Sequence, residues 1–176
     1  MLTGCAPKKK LSSSRTPSSK GILSDISTQS KFFPLENKNA VLDSFSEVLD
    51  VDKRHLNSNL YHFVYDWMGV KHRDGGTNKM GIDCSAFVGI LYQQIYKKII
   101  PRSSAQMGEM VKRNYEKDLK EGDLVFFSFG GKRIDHVGVY LHNGIFVHVS
   151  TSKGVILSKL RDPWYYKYYV RSGSIE

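Results

Sequence analysis

The segment from His136 to Ser150 constrains the fold more than any other part of the chain. It reads HVGVYLHNGIFVHVS, two β-rich runs around His142-Asn143-Gly144. A two-residue Asn-Gly turn would pair 142 with 145 and mix apolar and polar residues on both faces. A three-residue loop with a left-handed Gly144 pairs 141 with 145 instead. Val137 then faces Val149, Val139 faces Val147 and Leu141 faces Ile145, so one face is wholly aliphatic. A one-residue slip would turn that set to the other side, so burial fixes the register. The opposite face carries His136, Gly138, Tyr140, Phe146, His148 and Ser150. Gly138 lies opposite His148, with His136 as its diagonal neighbour. Diagonal Cα atoms are about 7–8 Å apart, within reach of two imidazoles, and glycine leaves a notch between them.

The flanking sequence supplies helices first and strands later. Apolar residues at 41, 42, 45, 48 and 49, and again at 60, 63, 64, 67 and 68, mark two amphipathic helices. Residues 70–82, with Gly75-Gly76 and Gly81, read as an irregular loop. Asp83 can cap a helix whose stripe is Cys84, Phe87, Val88, Leu91 and Ile95. Ser103 or Ser104 can start another helix towards Tyr115. Strands are expected at 123–129, 136–141, 145–150, 155–157 and 165–171. In that last strand, alternation turns half of the tyrosines at 165, 166, 168 and 169 to the core, which favours packing over sugar stacking. Gly122-Asp123 reads as a turn device. This order implies an α+β domain with an antiparallel sheet.

Cys84 and the two hairpin histidines form a candidate nucleophilic site. A free thiol, with a pKa near 8.5, is mostly protonated at neutral pH. A helix N-terminus favours its anion through unpaired N–H groups and the macrodipole. A nearby imidazole takes the proton and later gives it to the leaving amine. A third group holds that imidazole in the right tautomer. Cys84 stands at the expected helix start, His136 can be the base and His148 the orienter. Taken singly, each residue has a plainer reading: a buried cysteine packs as a small hydrophobe, and a strand histidine is commonly structural. A Cys-His-His metal site is a weaker fit, and no metal or cofactor is expected.

Five motifs add a family resemblance. They are Asp83-Cys84-Ser85-Ala86-Phe87, Arg102-Ser103-Ser104-Ala105-Gln106, Gly122-Asp123-Leu124-Val125-Phe126-Phe127, His136-Val137-Gly138-Val139-Tyr140, and His148 beyond. In this order, over about Leu60 to Arg171, the chain resembles the NlpC-type cell-wall cysteine peptidases. The resemblance implies a papain-like α+β fold with the cysteine helix packed on an antiparallel sheet. It implies hydrolysis of peptidoglycan stem peptides, commonly between γ-D-glutamate and a diamino acid. It makes Cys84 the nucleophile, His136 the base and His148 the third member, and it places Asp83, Ser85 and Ser103 in the substrate pocket. A carboxylate such as Asp83 can hold a free peptide amine, although Asp83 and Ser103 both also fit as helix caps. Arg102 can bind a carboxylate bidentately. Two departures stand out. His72 occupies a position where the family usually has tyrosine, so it joins the expected substrate pocket as a side chain type that changes charge near neutral pH. Ala86 stands where glycine is common. An amidase or acyltransferase of the same fold, or a non-catalytic wall-binding module, are the alternative readings.

The N-terminal residues differ in kind. Residues 1–35 carry six basic residues against one acid, a surplus of five out of the net +9. Residues 6–31 are rich in Ser, Lys, Pro and Thr, a composition suited to a linker. Leu2-Thr3-Gly4-Cys5 resembles the lipobox of bacterial lipoproteins, whose cysteine is lipidated, although only Met1 precedes it here. The expected organisation is a basic tail over 1–35 and a peptidase domain over 36–176. The expected setting is the bacterial envelope, as an outer-membrane lipoprotein facing the periplasm and anchored through Cys5. No basic block interleaved with aromatics marks the domain, so nucleic acid is not an expected partner. A monomer is expected.

Overall fold

A computed structural model describes residues 38–176; the expected basic tail and Cys5 lie outside the described residues. Helix α1 (Lys38–Leu49) buries Val41, Phe45 and Leu49, one face at four-residue spacing. Helix α2 (Ser58–Trp67) starts where Asn57 accepts a hydrogen bond from the Leu60 N–H, 3.3 Å away. It buries Leu60, Phe63, Val64 and Trp67, and the Phe45 and Tyr61 rings meet at 4.8 Å between the two helices.

The stretch expected to be irregular holds a small ribbon, β1 (Thr77–Asn78) against β2 (Gly81–Ile82). Turn residues rule out a long element there but allow two residues of pairing. Asn78 secures the turn by accepting from the Met80 N–H at 2.9 Å. Helix α3 (Cys84–Leu91) follows directly and runs into a single π turn at Tyr92–Tyr96. The Tyr92 hydroxyl donates to the Gly122 carbonyl at 2.6 Å, tying the start of that turn to the loop that leads into the sheet.

Helix α4 (Ser104–Met110) stops well short of Tyr115. Residues expected to continue it form β3 (Lys112–Asn114), an edge strand paired with β8 (Tyr169–Ser174). Strands β4 (Leu124–Phe127), β5 (His136–Tyr140), β6 (Ile145–Ser150) and β7 (Gly154–Lys159) complete a six-stranded sheet in the order β3-β8-β4-β5-β6-β7, every neighbour antiparallel. The expected strand at 165–171 is corrected. Residues Pro163–Tyr168 form helix α5, and the strand begins only at Tyr169. The local signal was Asp162-Pro163. Asp162 accepts from the Trp164 N–H at 3.0 Å, and proline at the first helical position costs no backbone bond.

The hairpin takes the three-residue loop. Gly138 pairs with His148, Val139 with Val147 and Tyr140 with Phe146. Gly144 has φ +75°, the left-handed backbone that loop requires. The aliphatic face packs Val137, Val139, Val147 and Val149 with Phe87 and Val88 of α3, in a core shared with α1 and α2. The other face joins Phe127 and Phe146 to Tyr165, Tyr168 and Tyr169. Strand β4 is buried at all four residues because the sheet is covered on both sides.

Candidate active site

The site lies where the N-terminus of α3 meets the start of β5. Asp83 caps α3: its Oδ1 accepts from the Ala86 N–H at 2.9 Å, which leaves Cys84 as the first helical residue. Helix α3 packs on β5 and β6, so the same contact that buries Phe87 delivers Cys84 to the sheet. Cys84 is a free thiol, half-buried. Burial pushes its pKa up and the Asp83 carboxylate adds to this. Hydrogen bonds from the backbone N–H groups of Val137, Ser85 and Cys84 itself pull the other way.

His136 and His148 stand on one sheet face, as the register demands. Their rings lie 5.0 Å apart and nearly perpendicular, with His136 Nε2 2.9 Å from His148 Nδ1. The space that Gly138 leaves is filled by its neighbours across the hairpin. A Cβ there would lie 2.7 Å from the Phe146 ring and 3.1 Å from the His148 Cβ. Burial lowers the His136 pKa to about 4, opposed by the Asp135 charge and helped by His72. Burial also drives His148 well below the ordinary histidine value, with His136 adding to the effect. Both rings are therefore neutral at pH 7.

Cys84 and His136 line one open cavity of about 520 Å³ together with His72, Asp83, Ser85, Arg102 and Ser103. Every candidate on the domain except His148 is in its wall. His148 lies behind His136, 2% exposed. His72 sits 3.5 Å from Asp74 and bridges to β2 through Ile82. Ser103 occupies the cap position of α4 but makes no capping bond with its hydroxyl.

Arg102 grips a carboxylate of the protein's own. Its Nη1 donates to Asp83 Oδ1 at 2.8 Å and its Nη2 to Oδ2 at 2.5 Å, a bidentate pair, while Nη1 also reaches Ser85 Oγ. Ser85 Oγ donates to Asp83 Oδ1 at 2.9 Å. Burial works against the Asp83 charge, but the bonds from Arg102, Ala86 and Ser85 outweigh it and hold the carboxyl below its usual range. Asp83 is thus cap, pocket wall and ion-pair partner at once.

Sequence reasoning missed Asp74, Asp135 and Thr151, which also line the cavity, and one polar group behind it. Ser158 Oγ lies 3.0 Å from His148 Nε2. The expected strand 155–157 ended one residue too early to include it. Extending the same alternation by one pair would have put Ser158 on the histidine face.

Comparison with known proteins supplies a context for this geometry. The NlpC/P60 family profile matches residues 69–174. A probable endopeptidase NlpC homolog of Haemophilus influenzae is 39% identical over 110 residues, covering 62% of this chain and 58% of that protein. The murein DD-endopeptidase MepS/murein LD-carboxypeptidase of Escherichia coli K12 is 44% identical over 104 residues, 59% of this chain and 55% of that protein. The chain thus spans little more than half of either relative. Among solved structures, an NlpC/P60 family protein from Bacillus cereus superposes with a TM-score of 0.61 at 26% identity, covering 65% of this chain and 38% of that one. The matched segment takes in α3, the whole β4–β7 sheet and every candidate side chain of the cavity, and on this evidence the chain belongs to the NlpC/P60 family.

Proposed function

We propose that this chain is a peptidoglycan hydrolase of the bacterial envelope, a cysteine endopeptidase acting on stem peptides. The observation that carries the reading is the meeting of Cys84, at the first turn of α3, and His136 in one cavity, with His136 Nε2 held 2.9 Å from His148 Nδ1. With Nε2 committed to His148, Nδ1 is the nitrogen left to exchange a proton with Cys84. The neutral His136 takes the thiol proton, and the thiolate attacks the scissile carbonyl. The unpaired N–H groups at the start of α3 suit the oxyanion that forms beside the sulfur. The imidazolium returns its proton to the leaving amine. His136 then activates the water that hydrolyses the thioester. Asp83, Ser85, Arg102, Ser103 and His72 give the cavity polar walls for a peptide rich in carboxylates and amines.

The scissile bond is that between γ-D-glutamate and the diamino acid. The relative at 44% identity is named for DD-endopeptidase and LD-carboxypeptidase activity, so product identity is the decisive readout. Purified sacculi treated with the full chain should release stem-peptide fragments, identified by mass spectrometry. Cys84→Ala should release none. Full release by that variant would remove Cys84 as nucleophile. We further propose that Cys5 is lipidated and holds the protein to the outer membrane on its periplasmic side. Residues 1–35 then act as tether and residues 36–176 as a monomeric catalytic domain.

A further inference from the structure

We propose that Ser158 is a positioning residue whose hydroxyl sets the direction of the hydrogen bonds through His148, and so fixes His136 in the tautomer that can accept the Cys84 proton. The inference rests on the proposed Cys84–His136 chemistry.

The β6–β7 register pairs His148 with Ile156 and Phe146 with Ser158. Ser158 is therefore diagonal to His148 on the same sheet face, as His148 is diagonal to His136 across β5–β6. Three polar groups step across three strands, at 2.9 Å and then 3.0 Å. His148 is 2% exposed and Ser158 8%, so bulk water does not take the place of either partner.

Each link in such a chain holds one hydrogen. For His136 Nδ1 to accept a proton, the neutral ring must carry its hydrogen on Nε2. That hydrogen is donated to His148 Nδ1, so His148 must carry its own on Nε2. This second N–H is buried and needs an acceptor, and Ser158 Oγ stands at its end. The serine hydrogen is then free to point away from His148, whose ring packs edge-on to Tyr165 at 5.1 Å. In the reverse direction, His136 carries its hydrogen on Nδ1 and meets the thiol with a donor, which cannot take a proton. Removing the hydroxyl strands a buried N–H in the productive direction and a bare lone pair in the reverse one; an orphaned N–H is the costlier of the two, so the loss favours the unproductive direction. The imidazolium formed during turnover also needs the productive direction, because both of its N–H groups donate. No proton travels along the chain: the thiol hydrogen moves to Nδ1, and the hydrogens on the two Nε2 atoms stay in place.

The test uses the full chain labelled with ¹⁵N-histidine. NMR of the resting protein at pH 7 should show His148 protonated on Nε2 and His136 on Nε2. His148 protonated on Nδ1 in the unmodified protein would overturn the proposal without any variant. Ser158→Ala should shift both rings towards the Nδ1–H form. It should lower kcat on a soluble muropeptide roughly ten- to hundred-fold, the scale of one unsatisfied buried donor, with KM little changed. Ser158→Thr, which keeps the hydroxyl, should restore both readouts. A Ser158→Ala protein with unmoved tautomers and full kcat overturns the inference. The tautomer measurement needs no substrate, so an enzyme with Nε2–H histidines but no action on muropeptides would sink the peptidoglycan reading and leave the Ser158 assignment standing.

Discussion

His136 is buried, and burial outweighs the nearby Asp135 charge to bring its pKa to about 4. An unfolded histidine titrates near 6.5. Below pH 6.5 the unfolded chain therefore binds a proton that the folded chain refuses, and stability falls as pH drops towards 4. Above pH 6.5 both states are neutral and the term vanishes. His148 acts in the same sense. From pH 6.5 to 5, where carboxylates still stay ionised, His136 alone should remove about 2 kcal/mol. Urea unfolding at the two pH values measures this, and His136→Gln should reduce the difference by about that amount, leaving the His148 contribution in place. Equal stability of the unmodified protein at both values would contradict a neutral buried ring. The same burial serves the proposed chemistry, because the base is unprotonated throughout the neutral range.

The β5–β6 hairpin is the element that turns two scattered histidines into a pair. Its notch depends on the missing side chain of Gly138, where a Cβ would lie 2.8 Å from the Val147 carbonyl as well as against Phe146 and His148. Backbone cannot retreat as a flexible side chain tip can. Gly138→Ala should therefore destabilise the protein by about 1–3 kcal/mol, in line with overpacking of a tight core. It should also lower kcat, because His148 is displaced from His136. Thermal melting and kinetics on one preparation check both, and an alanine variant with unchanged melting temperature and rate would show that the strands have room to part. Helix α3 is the matching element on the other side of the cavity. Asp83 holds its first turn, and its Phe87 face anchors it on the sheet.

The whole molecule joins these elements by covering the sheet on both faces, with α1 to α3 on one side and the α5 tyrosines on the other. That second layer sits directly behind the histidines: the Tyr165 ring lies 5.1 Å from His148 and 5.3 Å from Phe146. Beyond the domain, the proposed anchor makes a prediction about location. Expressed from its own gene, the protein should fractionate with the outer membrane, and Cys5→Ser should move it to the soluble periplasmic fraction. A Cys5→Ser protein that remains membrane-bound would count against lipidation as the anchor.

The sequence by itself determined the features that depend on local periodicity. The β5–β6 register followed from one aliphatic face, because only one pairing buries it, and the His136–His148 juxtaposition came with it. The Asp83 cap placed Cys84 at a helix start for the same local reason. Tertiary structure decided what depends on partners distant along the chain. Residues 112–114 extend because β8 offers an edge to pair with, which outweighs their place after a helix. Arg102 points at Asp83, nineteen residues earlier, and no spacing rule ties those positions together. Ser158 joins His148 through a third strand whose length was set by pairing along all of β6. Helix α5 was legible in Asp162-Pro163 but masked by a run of tyrosines that reads equally well as strand. Side chain type alone does not distinguish them; the cap and the packing of Tyr165 against Phe127 and Phe146 do.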